Sequence, residues 1–133
     1  MAVGAPSGTV TFLFTDIEGS TRLWQADEAA MRSALSRHDQ LLRKVIAEHD
    51  GTVFSAMGDG LAAAFGSASA AMQAALAAQQ SLQAEPWPTP TPLRVRMGLH
   101  TGEEEWRDGD YFGTVVNRAA RLMAIGHGGQ VLC

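Results

Sequence analysis

The sequence predicts an α+β domain, and three observations carry that prediction. Short β-favouring runs are interleaved with two long helix-favouring ones, and an Asp-Gly step joins two of the β-like runs as a tight turn. The length of 133 residues suits one compact domain with a real core and leaves little room for a second. Hydrophobic content of 46% and charged content of 18% are those of an ordinary soluble globular chain.

The elements follow in order. Gly8 to Thr15 (GTVTFLFT) reads as a short buried strand. Thr21 to His49 reads as helix, interrupted near Asp27. Within it Met31, Leu35, Leu42 and Ile46 approximate an apolar stripe, with Arg32, Arg37, Arg43 and Lys44 mostly off it. Gly51, in His49 to Gly51, supplies the stop. The run GTVFSAMGDGLAAAFG then gives two strands around the Asp59-Gly60 turn. Ser67 is a plausible N-cap for SASAAMQAALAAQQSLQ, a strong helix by propensity. EPWPTPTP, with four prolines in eight residues, is an extended connector. Leu93 to His100 is a strand in which Leu93, Val95, Met97 and Leu99 alternate with Arg94, Arg96 and Gly98. A polar turn, TGEEEWRDGD, leads to a last helix over Thr114 to Ile125, ended by GHGG, and QVLC begins a strand.

The order βα(α)ββαβ is the ferredoxin-like pattern. It sets the first strand antiparallel beside the third, so the end of the first (Asp16) lies next to the start of the third (Asp59 to Leu61). Paired carboxylates with a backbone carbonyl nearby suit Mg²⁺ or Mn²⁺, which take oxygen ligands and keep waters for substrate phosphates. Two such ions can clamp the attacking and leaving oxygens of a phosphoryl transfer. Gly19, Ser20 and Thr21 at a helix start offer N–H groups to a polyphosphate. The bland reading makes Asp16 or Ser20 an N-cap and Asp59 a hairpin residue. Asn117 and Arg121, four apart, share a helix face and can hold a ribose oxygen and a phosphate gaining charge. Their bland reading is a solvated arginine and an asparagine bonded to backbone.

Together FLFTDIEGSTRLW, GDGLAAAF, VRMGLHTGE and DYFGTVVNRAARL resemble a class III nucleotidyl (adenylate/guanylate) cyclase catalytic domain of the bacterial kind. The likeness runs from about Val10 to Leu132. It implies a single cyclase homology domain over residues 1–133 with an ordered core from about residue 8, a C-terminal part of the family fold lying beyond the chain, and a head-to-tail homodimer. It further implies that Asp16, Asp59 and the carbonyl of Ile17 bind two Mg²⁺ or Mn²⁺ ions, and that Gly19 to Thr21 cradle a triphosphate. Asn117 and Arg121 would reach the transition state from the other protomer. The reaction would convert ATP to cyclic AMP and pyrophosphate by attack of the ribose 3′-oxygen on the α-phosphate.

One departure bears on the base. Adenylate cyclases of this class usually carry a base-reading lysine four residues before the second metal aspartate, and that position here is Ser55. Its usual acidic partner is present as Asp110. A carboxylate accepts from adenine N6 or equally from guanine N1 and N2, so GTP is a second candidate substrate. The alternatives are a weak or inactive cyclase-like nucleotide-binding and dimerisation module of a larger regulator, and a haloacid-dehalogenase-type phosphatase using Asp16 and Glu18.

The remaining features exclude other classes. A net charge of −4 gives no general attraction to nucleic acid or anionic lipid. The Ala-rich Leu61 to Leu82 stretch is broken by Gly66, Gln73, Gln79 and Gln80 and does not read as membrane-spanning. A lone Cys133 leaves no disulfide framework, and the N-terminus lacks the features of a signal peptide, so a cytoplasmic setting is expected. His38, His49, His100 and His127 have no metal-ligand spacing.

Overall fold

β1 (Gly8–Ile17) is the strand on which the fold is built. A computed structural model of the chain describes residues 6–107, 110–111, 120–121, 123 and 128–132, without the side chains of Met57, Arg107 and Asp110. β1 is followed by α1 (Ser20–Ala26), α2 (Glu28–Glu48), β2 (Thr52–Met57), β3 (Gly60–Phe65), α3 (Ala68–Ala84) and β4 (Val95–Glu104). Short strands β5 (Trp106–Arg107), β6 (Asp110–Tyr111) and β7 (Val131–Leu132) complete the described elements.

The principal sheet has the order β2-β3-β1-β4-β7, the arrangement expected of a ferredoxin-like core. β1 pairs antiparallel with β3 on one side, from Thr11 opposite Phe65 to Thr15 opposite Leu61. On its other side it pairs antiparallel with β4, from Gly8 opposite Glu104 to Ile17 opposite Val95. β7 joins β4 in parallel, and β5 and β6 form a separate hairpin.

Side-chain alternation along β1 divides the sheet into two faces. Leu13 and Ile17 point to the helices, where they join Ala63, Phe65, Val95, Met97 and Leu99 in the main core. Met31, Leu42 and Ile46 of the expected α2 stripe lie in the same core, with Leu35 packed at its margin. The small face of α3, Ala71, Ala74, Ala75 and Ala78, also enters it. Those alanines let α3 approach the sheet closely. On the opposite face Val10, Phe12 and Ala64 meet Tyr111, with Phe14, Phe54 and Trp106 packed alongside. Tyr111 stands edge-on to Phe12 at 4.7 Å and to Phe54 at 4.9 Å between ring centroids. Its hydroxyl donates to the Pro6 carbonyl at 2.6 Å, and burial pushes its pKa up to about 12.

The helix breaks follow local chemistry. Asp27 is extended (φ −160°) between α1 and α2, and its carboxylate caps α2 by accepting from the Ala30 N–H at 3.0 Å. Ser67 caps α3 in the same way through Ala70 at 3.2 Å. Two sequence readings are corrected. β1 runs on to Ile17, so Asp16 lies within the strand and not just past it, because pairing with β4 continues to Val95. Glu103 and Glu104 belong to β4 and not to a solvated turn, since they pair with Thr9 and Gly8. The proposed helix Thr114–Ile125 lies mostly outside the described residues, though 120, 121 and 123 are helical.

His38 is a feature the sequence did not single out. It is wholly buried on α2, its Nδ1 bonds the Asp39 carboxylate at 2.8 Å, and its Nε2 has no partner among the described residues. The neutral tautomer fits, with Nδ1–H donating and a bare Nε2 lone pair. Burial lowers its pKa from the ordinary 6.5, against the opposing pull of Asp39 and Asp59. Because the folded value is depressed, the unfolded chain takes up the proton first as pH falls below 6.5, and stability drops there. Urea midpoints should therefore fall between about pH 7.5 and 5.5 in the native chain, and fall less in His38→Gln. Equal pH dependence in both would contradict the neutral buried ring.

Candidate active site

The acidic end of the sheet lies on the aromatic face, beyond Phe14. Phe14 and Asp16 share that face of β1, and the β1–β4 register sets Arg96 directly opposite Asp16. The two side chains form a bidentate fork. Arg96 Nε donates to Asp16 Oδ1 at 2.7 Å, and Arg96 Nη2 donates to Asp16 Oδ2. Both are about a quarter exposed, at 27% for Arg96 and 22% for Asp16, so the pair sits at the rim of the sheet and not in its interior. The hydrogen bond it donates to Asp16 holds the Arg96 guanidinium above its ordinary pKa, with desolvation opposing and the charges of Asp16, Glu18 and Asp59 adding.

Asp59 occupies the β2–β3 turn, one residue before Gly60, and Leu61 pairs with Thr15. That register carries Asp59 to the same edge as Asp16, as the strand order requires. Thr15 pins the junction from the helix face: its Oγ1 accepts from the Leu61 N–H at 3.3 Å. Ile17 is buried in the main core, which anchors the backbone whose carbonyl the sequence singled out. Among the described residues no group of three or more His, Cys, Asp or Glu side chains is clustered for a metal. Asp16, Asp59 and the Ile17 carbonyl, the ligands expected from the sequence, would make two hard carboxylates and a carbonyl, short of a closed cage. Such a set fits Mg²⁺ or Mn²⁺, which complete their shells with water and phosphate oxygen. Each Asp16 oxygen bonded to Arg96 also retains a second lone pair, so the fork does not exhaust its acceptor capacity.

After Ile17 the chain turns sharply. Gly19 is the N-cap of α1 in the left-handed region (φ 66°), where glycine alone escapes the Cβ penalty, and no side chain caps the helix. The capping role considered for Asp16 or Ser20 is therefore not taken up. Ser20 and Thr21 form the first residues of α1, beside a cleft of about 340 Å³ lined by Glu18, Gly19, Arg22, Leu23, Thr91, Pro92 and Arg94.

Ser55 and Asp110, the residues expected from the sequence to read the base, each adjoin an aromatic residue of one contact. Ser55 lies in β2 opposite Ala62, which itself opposes Phe14, so Ser55 stands one cross-strand row from Asp16 on the same face. A register shift between Val53 and Ser55 lets Phe54 turn toward Tyr111. Asp110 precedes Tyr111 in β6, so Ser55 and Asp110 each adjoin one ring of that contact. Arg121 is exposed on its helical segment, away from any described contact with Asp16; Asn117 lies outside the described residues. Arg96 is the residue that sequence reasoning missed. The signal was present: alternation in β4, combined with an antiparallel β1–β4 pair, already put an arginine across from Asp16.

Comparison with known proteins bears on the family and the fold. The family of adenylate and guanylate cyclase catalytic domains matches residues 3–133. An uncharacterized protein of Mycobacterium tuberculosis is 43% identical over 129 residues, covering 96% of this chain and 43% of that protein. An adenylate cyclase of Mycosarcoma maydis is 35% identical over 155 residues, covering 98% of this chain and 6% of the cyclase. Among solved structures, an adenylate cyclase from Trypanosoma brucei in its monomeric state superposes with a TM-score of 0.88 at 30% identity, covering 98% of this chain and 75% of that one. The chain thus spans less than half the length of these curated relatives. Motif order, sheet topology and the matched family agree, and the chain belongs to the adenylate and guanylate cyclase catalytic domains.

Proposed function

We propose that the chain is the catalytic domain of an adenylate cyclase, converting ATP to cyclic AMP and pyrophosphate at a site shared between two protomers. The observation that supports this reading is the strand order that sets Asp16 and the Asp59 turn at the same edge of the sheet, with Arg96 forked to Asp16 and feeling the charge of Asp59. Residues 1–133 act as one domain, and the site needs a head-to-tail homodimer to be complete. No nucleic-acid or membrane partner is invoked, since the net charge is −4 and no described helix is long and apolar enough to cross a membrane. An ATP substrate places the domain in the cytoplasm.

Asp16, Asp59 and the Ile17 carbonyl would hold Mg²⁺ or Mn²⁺. Bound there, the ions neutralise phosphate charge and stabilise the attacking 3′-oxygen and the leaving pyrophosphate. Gly19, Ser20 and Thr21 present the uncapped start of α1 to the triphosphate. Arg96 neutralises Asp16, and its guanidinium, on the substrate face, would meet phosphate oxygens of a bound nucleotide. Asn117 and Arg121 of one protomer complete the site of the other, Asn117 orienting the ribose and Arg121 countering charge that grows on the transferring phosphorus. Ser55 and Asp110 face the base. The haloacid-dehalogenase-type phosphatase reading falls with the family assignment.

A second reading is kept because Ser55 stands where a lysine is usual: a weak cyclase, or a nucleotide-binding and dimerisation module of a larger regulator. Incubation of the full-length chain with ATP or GTP and Mn²⁺, followed by chromatography, separates the two. Cyclic product is expected; intact nucleotide binding without product would favour the module.

Asp59→Asn should reduce metal-dependent turnover by about 100-fold or more, read as cyclic product formed per minute. Retained turnover would remove Asp59 from the metal site. Ser55→Lys should raise the kcat/KM ratio of ATP over GTP, and an unchanged ratio would place base selection elsewhere. Arg121→Ala should lower kcat about 100-fold with little change in KM, the pattern of a contact made in the transition state.

A further inference from the structure

The cleft beside Gly19 is basic in a chain that is acidic overall. Arg22 and Arg94 both line its volume of about 340 Å³, while the net charge of the chain is −4. Both arginines are exposed, and neither has an ion-pair partner among the described residues. Arg32, Arg37 and Arg96, by contrast, are each paired with a carboxylate. Glu18 supplies the one carboxylate of the lining, and it is already engaged in accepting the Gly128 N–H. Two guanidinium groups are thus set against one occupied carboxylate.

The walls of the cleft are held from two directions. Arg94 packs against Gly128, where a Cβ would overlap its side chain. Thr91 and Pro92, at the end of the proline-rich connector, line the cleft as well. That connector is anchored: the Thr89 hydroxyl donates to the Thr91 carbonyl at 2.6 Å, and Trp87 Nε1 donates to the Leu82 carbonyl at 2.9 Å.

Strand pairing fixes where the cleft stands relative to the acidic edge. The Glu18 N–H donates to the Arg94 carbonyl at 2.8 Å, one step past the pairing of Ile17 with Val95. Glu18 and Arg94 therefore lie two residues along from Asp16 and Arg96, about 7 Å at the rise of a strand. A triphosphate running along β1 from an α-phosphate at Asp16 brings its β- and γ-phosphates within arginine reach of the cleft. We propose that this cleft seats the terminal phosphates of the nucleotide, with Arg22 and Arg94 as their binding residues. The inference rests on the reading of the Asp16 and Asp59 edge as the cation site. Guanidinium forks match phosphate oxygens in shape as well as charge. The group recognised is a pyrophosphate, which a nucleoside monophosphate lacks.

Calorimetric titration of the full-length chain with inorganic pyrophosphate in EDTA tests the cleft with no cation at the sheet edge. The native chain should bind, and Arg22→Gln and Arg94→Gln should each weaken binding by about tenfold. Arg22→Gln carries the test alone should Arg94→Gln, packed at Gly128, not fold. Arg32→Gln removes the same charge from the outer face of α2 and should change affinity less than about twofold. With Mn²⁺-ATP the two cleft variants should raise KM about tenfold and leave kcat within about twofold, the pattern of binding common to ground and transition states. Unchanged pyrophosphate affinity in Arg22→Gln, or equal weakening in Arg32→Gln, would overturn the cleft as a phosphate seat. Weakened pyrophosphate binding with an unchanged KM for Mn²⁺-ATP would overturn its assignment to the nucleotide. Arginine-dependent binding of both pyrophosphate and ATP, with no cyclic product from the native chain, would remove the cyclase reading and leave the cleft standing.

Discussion

All ten residues of β1, Gly8 through Ile17, pair with β4, and five of them pair at the same time with β3. This double pairing fixes the register of three strands against one another, and a slip of one residue would move every side chain to the other face. Arg96 meets Asp16 only in this register. The β2–β3 turn, with Asp59, is set beside the same edge by the antiparallel return of β3. The acidic end of the sheet is thus a product of strand pairing and not of local sequence.

The two faces of the sheet divide the labour. One face is sealed by α1, α2 and α3 over Leu13, Ile17, Ala63 and Met97. This rigid layer fixes the backbone from Asp16 to Gly19. The other face is apolar at one end, where Tyr111 packs on Phe12 and Phe54, and charged at the other. A nucleotide has the same polarity, with an aromatic base at one end and phosphates at the other. The Asp16–Arg96 fork lies at a rim position, where an ion pair adds little net stability.

Much of this was legible in the sequence because the signals were periodic or chemically sharp. The Asp59-Gly60 turn, the Ser67 cap and the break at Asp27 appear where residue type demanded them, and the expected Leu93 to His100 strand appears from Val95 onward. Asp16 and Asp59 were paired by strand order alone. What escaped was non-local. Arg96 looked like a solvated member of an alternating strand until its cross-strand partner was known. Glu18 was read for its own chemistry, while its partner is a backbone N–H at Gly128. His38 was passed over because metal spacing was sought, whereas its buried ring bonds its own neighbour, Asp39. The EEE run misled because charge suggested a turn, although β1 offered Thr9 and Gly8 as ladder partners.

The central claim is that the edge where Asp16, Asp59 and Arg96 meet is a cation site that also faces phosphate. Crystals of the full-length chain grown with Mn²⁺ and a non-cyclisable ATP analogue test it most directly, through the anomalous scattering of manganese. The account predicts a manganese peak between the Asp16 and Asp59 carboxylates, with the Arg96 guanidinium turned toward phosphate oxygen. Nucleotide bound with an intact Asp16–Arg96 fork and no manganese at Asp59 would contradict it.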